Sequence, residues 1–249
     1  LFKLWRLNFR LGWPERARGL HYWLGYEYAL ALDLLDLPPG ARLLDVGTGA
    51  YSTFPYLLTH LRGPRVVASD IAPGIQRQRQ IRRRAIRAGR ARPRQVRLLQ
   101  ADARHLPLAS ASFDAVTALS TLEHVRGLHG DRQALQEIAR VVRPGGAVLL
   151  TLPFRAYGTL LELDDRRQLY QRHFSNETLW TSLLQPSGLV EEHHIYYRER
   201  LPFYRLYRRL PRWLTWLHRP WDTLLSYLLL EEVTNPAAAD AILVLLRRP

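Results

Sequence analysis

The sequence predicts a doubly wound α/β fold with a mostly parallel, seven-stranded sheet, and three observations carry that expectation. The stretch 43–58, LLDVGTGAYSTFPYLL, runs from an apolar strand ending in an acid, through a turn holding Gly47 and Gly49, into a helix start marked by Ser52, Thr53 and Pro55. Five short apolar runs alternate with helical patterns, with no hairpin signal among them. Beyond Pro153 two more strand patterns follow, one near 189–197 and AILVLL at 241–246.

Each element has a local reason. In YEYALALDLLDL, residues 26–37, Ala29, Leu32 and Leu35 share one helical stripe until Pro38-Pro39-Gly40 ends it. After the glycine turn, 55–61 continues a helix that Gly63-Pro64 breaks before RVVASD, a β-rich run ending in Asp70. Residues 75–89 are helical in pattern, with Ile75, Gln78, Ile81, Ala85 and Ala88 on one face and arginines over most of the rest. That arginine cluster, extended through Arg90, Arg92, Arg94 and Arg97, reads as a solvated outer face, with phosphate contact as the alternative. Residues 95–100 make a third strand. FDAVTAL, 113–119, is a fourth of the continuous apolar kind found in sheets covered on both faces. The loop STLEHVRGLHGD leads to a helix at 132–142, a turn at Arg143-Pro144-Gly145-Gly146 and a fifth strand, AVLLTL. Ser175 caps a further helix over 175–184.

Composition narrows the function classes. With 249 residues, 47% hydrophobic and 23% charged, the chain suits one α/β domain with an extension and excludes wholesale disorder. It has no cysteine, which excludes disulfides, thiolate metal sites and a cysteine nucleophile. A net charge of +14 attracts polyanions or anionic membranes, but Lys3 is the only lysine, so arginine supplies positive charge throughout and the surplus argues weakly for nucleic acid. No apolar run reaches the roughly eighteen residues of a membrane span, and the opening residues lack a leader's apolar core and cleavage site. A cytoplasmic protein, peripherally membrane-associated at most, is expected.

The glycine turn lets a ligand approach bare backbone at the end of a parallel strand, with a helix N-terminus aimed at it. Asp70 stands at the end of the second strand, about twenty residues further on, where a carboxylate grips a ribose diol in nucleotide-binding α/β folds. With those residues in register, the chain resembles the class I S-adenosylmethionine-dependent methyltransferases, the small-molecule and lipid-acting group in particular, over about 26–197. LLDVGTG is similar to the family's first motif, VVASD to its second, and QADARHLPLASASFDAV to its third with the fourth strand. TLEHV and EIARVVRPGGAVLLTLPF resemble the loop after that strand and the helix, turn and fifth strand that follow.

The resemblance implies a Rossmann-like methyltransferase fold with S-adenosylmethionine as cofactor and S-adenosylhomocysteine as product. Gly47, Thr48 and Gly49 would run beneath the methionine part, with Asp45 bracing the turn or reaching the amino group through water. Asp70 would accept both ribose hydroxyls and Ile71 would press on the adenine. Asp102 would accept from the adenine amino group while the Ala103 amide faces the ring. Leu119 and Ser120 would border the transferable methyl. One departure is visible: Ala50-Tyr51 stands where such families often carry a third glycine. The organisation expected is one domain over 1–249: an N-terminal amphipathic arm (1–25), a cofactor-binding core (26–200), a helical insertion (201–236) and a final strand (237–249).

Methyl transfer from a sulfonium needs alignment and exclusion of water, and a base only where the acceptor loses a proton. His124 is the candidate base, with Glu123 beside it to orient it. Tyr22, Trp23, Arg155 and Tyr157 are candidate acceptor-binding residues, because N-terminal arms and the segment after the fifth strand cover the cleft in this family. His173 and the His193-His194 pair read as packed or outward-facing side chains, and no metal is expected. The segment 201–230, rich in Trp, Tyr, Leu and Arg, reads as a dock for an anionic membrane or a cover for a lipid-like acceptor, with a helical cap or dimer contact packed on the sheet as the alternative. The function expected is methyl transfer to a small-molecule, lipid-like or glycan-precursor acceptor. The alternatives are an RNA or protein methyltransferase using the arginine surface, although no dedicated nucleic-acid module is present, and a non-catalytic cofactor-binding scaffold.

Overall fold

Strand β1 (Arg42–Val46), four of whose five residues are buried, pairs in parallel with β2 (Arg65–Asp70) on one side and β4 (Phe113–Leu119) on the other. The computed structural model describes residues 22–50, 52–71, 74–87, 95–164, 169–201, 203 and 222–249. Within them β3 (Val96–Gln100) extends the sheet past β2, and β5 (Val142–Pro153) extends it past β4, all in parallel. The chain runs outward from β1 in one direction and then restarts on its other side at β4. A crevice therefore opens at the carboxyl ends of β1 and β4, the topological switch point at which open α/β sheets bind ligands.

Beyond β5 lie β10 (Ala241–Arg247), antiparallel to it, then β8 (Val190–Glu199) and β9 (Leu230–Val233). The sheet thus has eight strands, one more than the sequence predicts. The eighth is β9, within the span 201–236 expected to be helical; among the described residues of that span the helix next to it is Asp222–Leu229, α5. An edge strand with open N–H and C=O groups recruits a neighbour, and LEEV supplies one whose Glu231 faces Arg198 across the ladder at 2.8 Å.

Three other boundaries differ from the pattern reading. Helix α1 spans Tyr22–Leu34, starting and ending earlier than expected, because Trp23 and Leu24 already pack on the core. The Arg143-Pro144-Gly145-Gly146 turn lies inside the residues of β5 as an irregular start, where pairing jumps from Phe113–Val142 to Ala115–Ala147. A Cβ at Gly146 would lie 2.8 and 2.9 Å from two backbone oxygens, so only glycine passes there. Residues 160–164 and 169–173 form an antiparallel hairpin, β6 (Leu160–Asp164) and β7 (Leu169–His173), which the sequence reading missed. The helix after Ser175 is present, wound as a π-helix over Thr178–Leu184, with Ser175 and Thr178 exchanging capping hydrogen bonds.

Helices α2 (Phe54–Leu61), α3 (Gly74–Arg87) and α4 (Gly130–Val141) cover the sheet. One apolar cluster joins α1 and α2 to Leu43, Ala68 and Leu243; another joins α4 and the π-helix to Leu44, Val116 and Val148. Alternate residues of the central strands feed both, which is why those strands read as continuous apolar runs. The arm 1–21, the arginines 90–94 and most of 201–221 lie outside the described residues.

Candidate functional site

The glycine loop after β1 is held from three sides. Gly47 and Gly49 take φ values of 68° and 75°, the left-handed region that favours glycine. Asp45, buried at the end of β1, accepts from the Thr48 hydroxyl at 2.7 Å and the Thr117 hydroxyl of β4 at 2.7 Å, so its carboxylate braces the turn. Burial, opposed by those two hydroxyls, raises its pKa to about 6. Buried Gln78 of α3 donates to the carbonyls of Gly49 at 2.7 Å and Ser52 at 3.0 Å, while its own oxygen accepts from Tyr56 at 3.0 Å. Sequence reading placed Gln78 on the buried face without this role; a lone amide among apolar residues on that stripe was the available signal. Ala50, where a third glycine is missing, does not take a positive φ, so the backbone requires no glycine there. A Cβ at Gly49 would meet no atom of the described residues within 4 Å, so among them open space faces the backbone at Gly49.

Asp70 closes the loop from β2 by accepting from the Gly49 N–H. Burial raises its pKa, with the N–H groups of Gly49 and Ile71 opposing. One carboxylate oxygen is engaged there, and the lone pairs left over are enough for a diol. Gly74 packs close by, its Cβ position 3.2 Å from the Asp70 carboxyl carbon. The Ile71 side chain is largely exposed, an apolar surface beside that acid. Asp102, expected to accept from adenine, is differently employed: its carboxylate holds the Arg104 guanidinium at 2.6–3.1 Å and accepts the Arg104 N–H at 2.9 Å. This hydrogen-bonded cation holds the Asp102 carboxyl below its ordinary range. An arginine two residues ahead in a tight turn falls naturally into a fork on the acid, so any adenine contact shares Asp102 with Arg104. Ala103 is half-buried beside it.

At the tip of β4, Leu119 is buried and Ser120 takes φ 47°, one of two described non-glycine residues with positive φ. Its N–H donates to the Thr151 hydroxyl of β5 at 2.8 Å, and its own hydroxyl donates to both carboxylate oxygens of Glu27, at 3.0 Å each. Glu27, on α1, also accepts from Tyr197 of β8 at 3.0 Å. Burial outweighs these donors and raises the Glu27 pKa to about 7. Glu123 is buried as well; burial, with the Glu27 charge adding to it, holds its carboxyl well above the usual range, and one of its oxygens has no hydrogen-bond partner. Sequence reading missed Glu27 and Tyr197, which stand 93 and 170 residues from their partners.

His124 is exposed, and its Nδ1 lies 2.7 Å from the Tyr170 carbonyl of β7. A carbonyl only accepts, so Nδ1 carries a proton in this contact. Glu123 lies 3.8 Å from Nε2, beyond hydrogen-bond range; the hairpin carbonyl orients the ring. Trp23 packs against the Tyr197 ring with centroids 5.7 Å apart, putting it in the core beside the Glu27 cluster. Arg155 and Tyr157 project into solvent next to the hairpin, away from that cluster's hydrogen bonds. The Tyr22 side chain lies outside the described residues. Among the described residues no group of three or more His, Asp or Glu side chains gathers to hold a metal; His173 stands 3.7 Å from Glu162 and His194 pairs with Glu191.

A glycine loop at the switch point, braced from behind by one acid and closed at its rim by another, defines a nucleotide-type site of the Rossmann-like class. Residues 44–150, somewhat under half of the chain, match the family described as a methyltransferase domain, so that stretch is similar to the class I S-adenosylmethionine-dependent methyltransferases. The chain is 35% identical over 123 residues to a demethylmenaquinone methyltransferase of Renibacterium salmoninarum, covering 49% of this chain and 45% of that one. It is 30% identical over 192 residues to the biotin biosynthesis bifunctional protein of Cellvibrio japonicus, covering 73% of this chain and 35% of that one. The chain therefore spans less than half the length of either relative. In fold it is similar to geranyl diphosphate C-methyltransferase of Streptomyces coelicolor, with a TM-score of 0.60 and 14% identity, covering 90% of this chain and 78% of that one.

Proposed function

We propose that this chain transfers the methyl group of S-adenosylmethionine to a small, lipid-like acceptor carrying an ionisable hydroxyl, of the quinol kind. The single observation behind the cofactor is the pairing of Asp70 with the Gly49 N–H at the rim of a loop that is open at Gly49 among the described residues. That arrangement fits the group: bare backbone for the methionine part, a carboxylate with spare lone pairs for the ribose diol, and exposed Ile71 for the adenine face. The cofactor supplies an activated methyl group; the chain's residues align the acceptor, exclude water and handle its proton. For the acceptor class the support is the likeness to demethylmenaquinone methyltransferases. To it are added the largely exposed Leu201, Tyr227 and Leu228 at the described flanks of the aromatic segment 201–230, which we read as the surface that meets lipid.

Titration calorimetry with S-adenosylmethionine and S-adenosylhomocysteine tests the cofactor half. Both are expected to bind, and Asp70→Ala is expected to weaken them on the order of 10- to 100-fold, the worth of charge-assisted hydrogen bonds. Unchanged affinity in that variant would remove Asp70 from the site. Labelled cofactor with a fractionated host extract tests the acceptor half: label in the lipid fraction supports it, and label in RNA or protein points to the arginine surface instead.

A further inference from the structure

Glu27, Ser120, Tyr197 and Glu123 come from four separate parts of the fold: α1, the tip of β4, β8 and the turn after β4. They meet next to the switch-point crevice. Glu27 and Glu123 are both buried, the charge of the first acts on the second, and buried acids are costly unless something uses them. The groups acting on Glu27 are hydroxyls, from Ser120, Tyr197 and Thr151, and the Glu27 charge in turn acts on Glu123 and Tyr28. Ser120 is held in a strained backbone conformation by its N–H bond to Thr151. Its hydroxyl spends its one proton on Glu27, so its lone pairs remain to receive another.

We propose that Glu27 takes up the proton of the acceptor's hydroxyl, acting through the Ser120 hydroxyl as a relay. The inference rests on the methyltransferase reading above and names a residue for its proton step. As the acceptor takes the methyl group, the carbon–sulfur bond breaks with its electron pair left on sulfur. The acceptor's proton passes to Ser120 Oγ, and the proton Ser120 already held passes to Glu27. The electron pair of the O–H bond stays on the oxygen that takes the methyl, or moves through the ring to the carbon that does. A sulfonium and a carboxylate enter the step and two neutral groups leave it, so the dry site ends without net charge. Tyr197, donating to the same carboxylate, keeps Glu27 turned toward Ser120. A carboxyl that titrates near neutrality suits a base that must be ionised before the transfer and protonated after it.

The first test needs no acceptor. Infrared difference spectra at neutral pH, S-adenosylhomocysteine complex minus S-adenosylmethionine complex, are expected to show a protonated-carboxyl band that disappears in Glu27→Gln. Gln keeps an oxygen for Ser120 and Tyr197 but holds no titrating proton. No such band, or a band that survives the substitution, overturns the proposal. The second test is turnover with naphthoquinol as probe. Glu27→Gln and Ser120→Ala are each expected to lower kcat on the order of 100-fold or more with cofactor affinity and KM little changed. The double variant is expected to be no slower than either single one, as for groups acting in one chain. Glu27→Asp is expected to recover part of the rate and to retain a pH inflection that Glu27→Gln lacks. Additive losses, or a wild-type pH profile in Glu27→Gln, would also refute it. Failure of the wild type to bind S-adenosylmethionine would instead strike the methyltransferase reading itself. Should Glu27→Gln not fold, Ser120→Ala carries the same infrared test, with the band expected to persist but the relay, and with it turnover, lost.

Discussion

Gly47→Ala tests whether the loop is built as described. Two effects act at once. A Cβ at φ 68° brings the left-handed penalty of about 1–2 kcal/mol. The same Cβ would lie 2.1 Å from Thr121 Cγ2, 2.4 Å from its hydroxyl oxygen and 2.8 Å from its Cβ. Thr121 has little freedom to yield, because it is buried and its hydroxyl donates to the carbonyls of Val46 and Leu119, each at 3.1 Å. Overpacking of this kind adds about 1–3 kcal/mol, for a total of about 2–5 kcal/mol, a large fraction of the roughly 5–15 kcal/mol that holds a domain folded. Urea unfolding at neutral pH measures the loss. Thr121→Ala removes the two nearest contacts but neither the third nor the backbone strain. In a double-mutant cycle the two substitutions are therefore expected to couple by about 1–2 kcal/mol, the double variant being more stable than the sum of the singles implies. A Gly47→Ala protein within 0.5 kcal/mol of wild type, taking ~0.5 kcal/mol as the limit for an innocuous substitution, or strict additivity with Thr121→Ala, would refute this account of the turn.

The buried acid of α1 gives a pH prediction with a definite sign. The folded-state pKa of Glu27, about 7, lies above its ordinary 4.5, so its contribution to stability is full below about 4.5 and is lost as pH rises through about 7. Glu27→Gln lacks that titration, so its stability relative to wild type is expected to rise by on the order of 3 kcal/mol across that window and then level off; parallel stability curves would contradict the burial argument. In Arg104→Ala the Asp102 carboxyl is expected to move up toward its ordinary pKa, as read from side-chain carboxyl chemical shifts, and no movement would mean that Arg104 does not hold it. Sedimentation with anionic liposomes is expected to carry the protein down at low salt and to release it at high salt. No binding at low salt would sink the membrane reading of 201–230.

What could be read from the sequence, and what could not, follows the range of the forces involved. Strands buried on both faces announce themselves residue by residue, as FDAVTAL does, and the glycine turn is visible because Gly47 and Gly49 answer a local backbone demand. The edges do not announce themselves. LEEV becomes a strand because β8 offers it a ladder, and LLELD pairs with LYQRH in a hairpin that touches the turn bearing His124. Glu27 was the least legible of all. In YEYALAL it looks like an ordinary helix-surface acid, and its burial is decided by Ser120 and Tyr197, far away in sequence.

That difference has a functional side. The residues proposed for the cofactor site are local in sequence: Asp45 through Gly49, Asp70 with Ile71, Asp102 with Ala103. The cluster at the tip of β4 instead draws on α1, β5 and β8. Under the proposed function, such an arrangement would separate holding the methyl donor from deprotonating the acceptor. On that reading, acceptor chemistry is to be sought in the contacts of Ser120 and Glu27, where a strained backbone meets a buried acid.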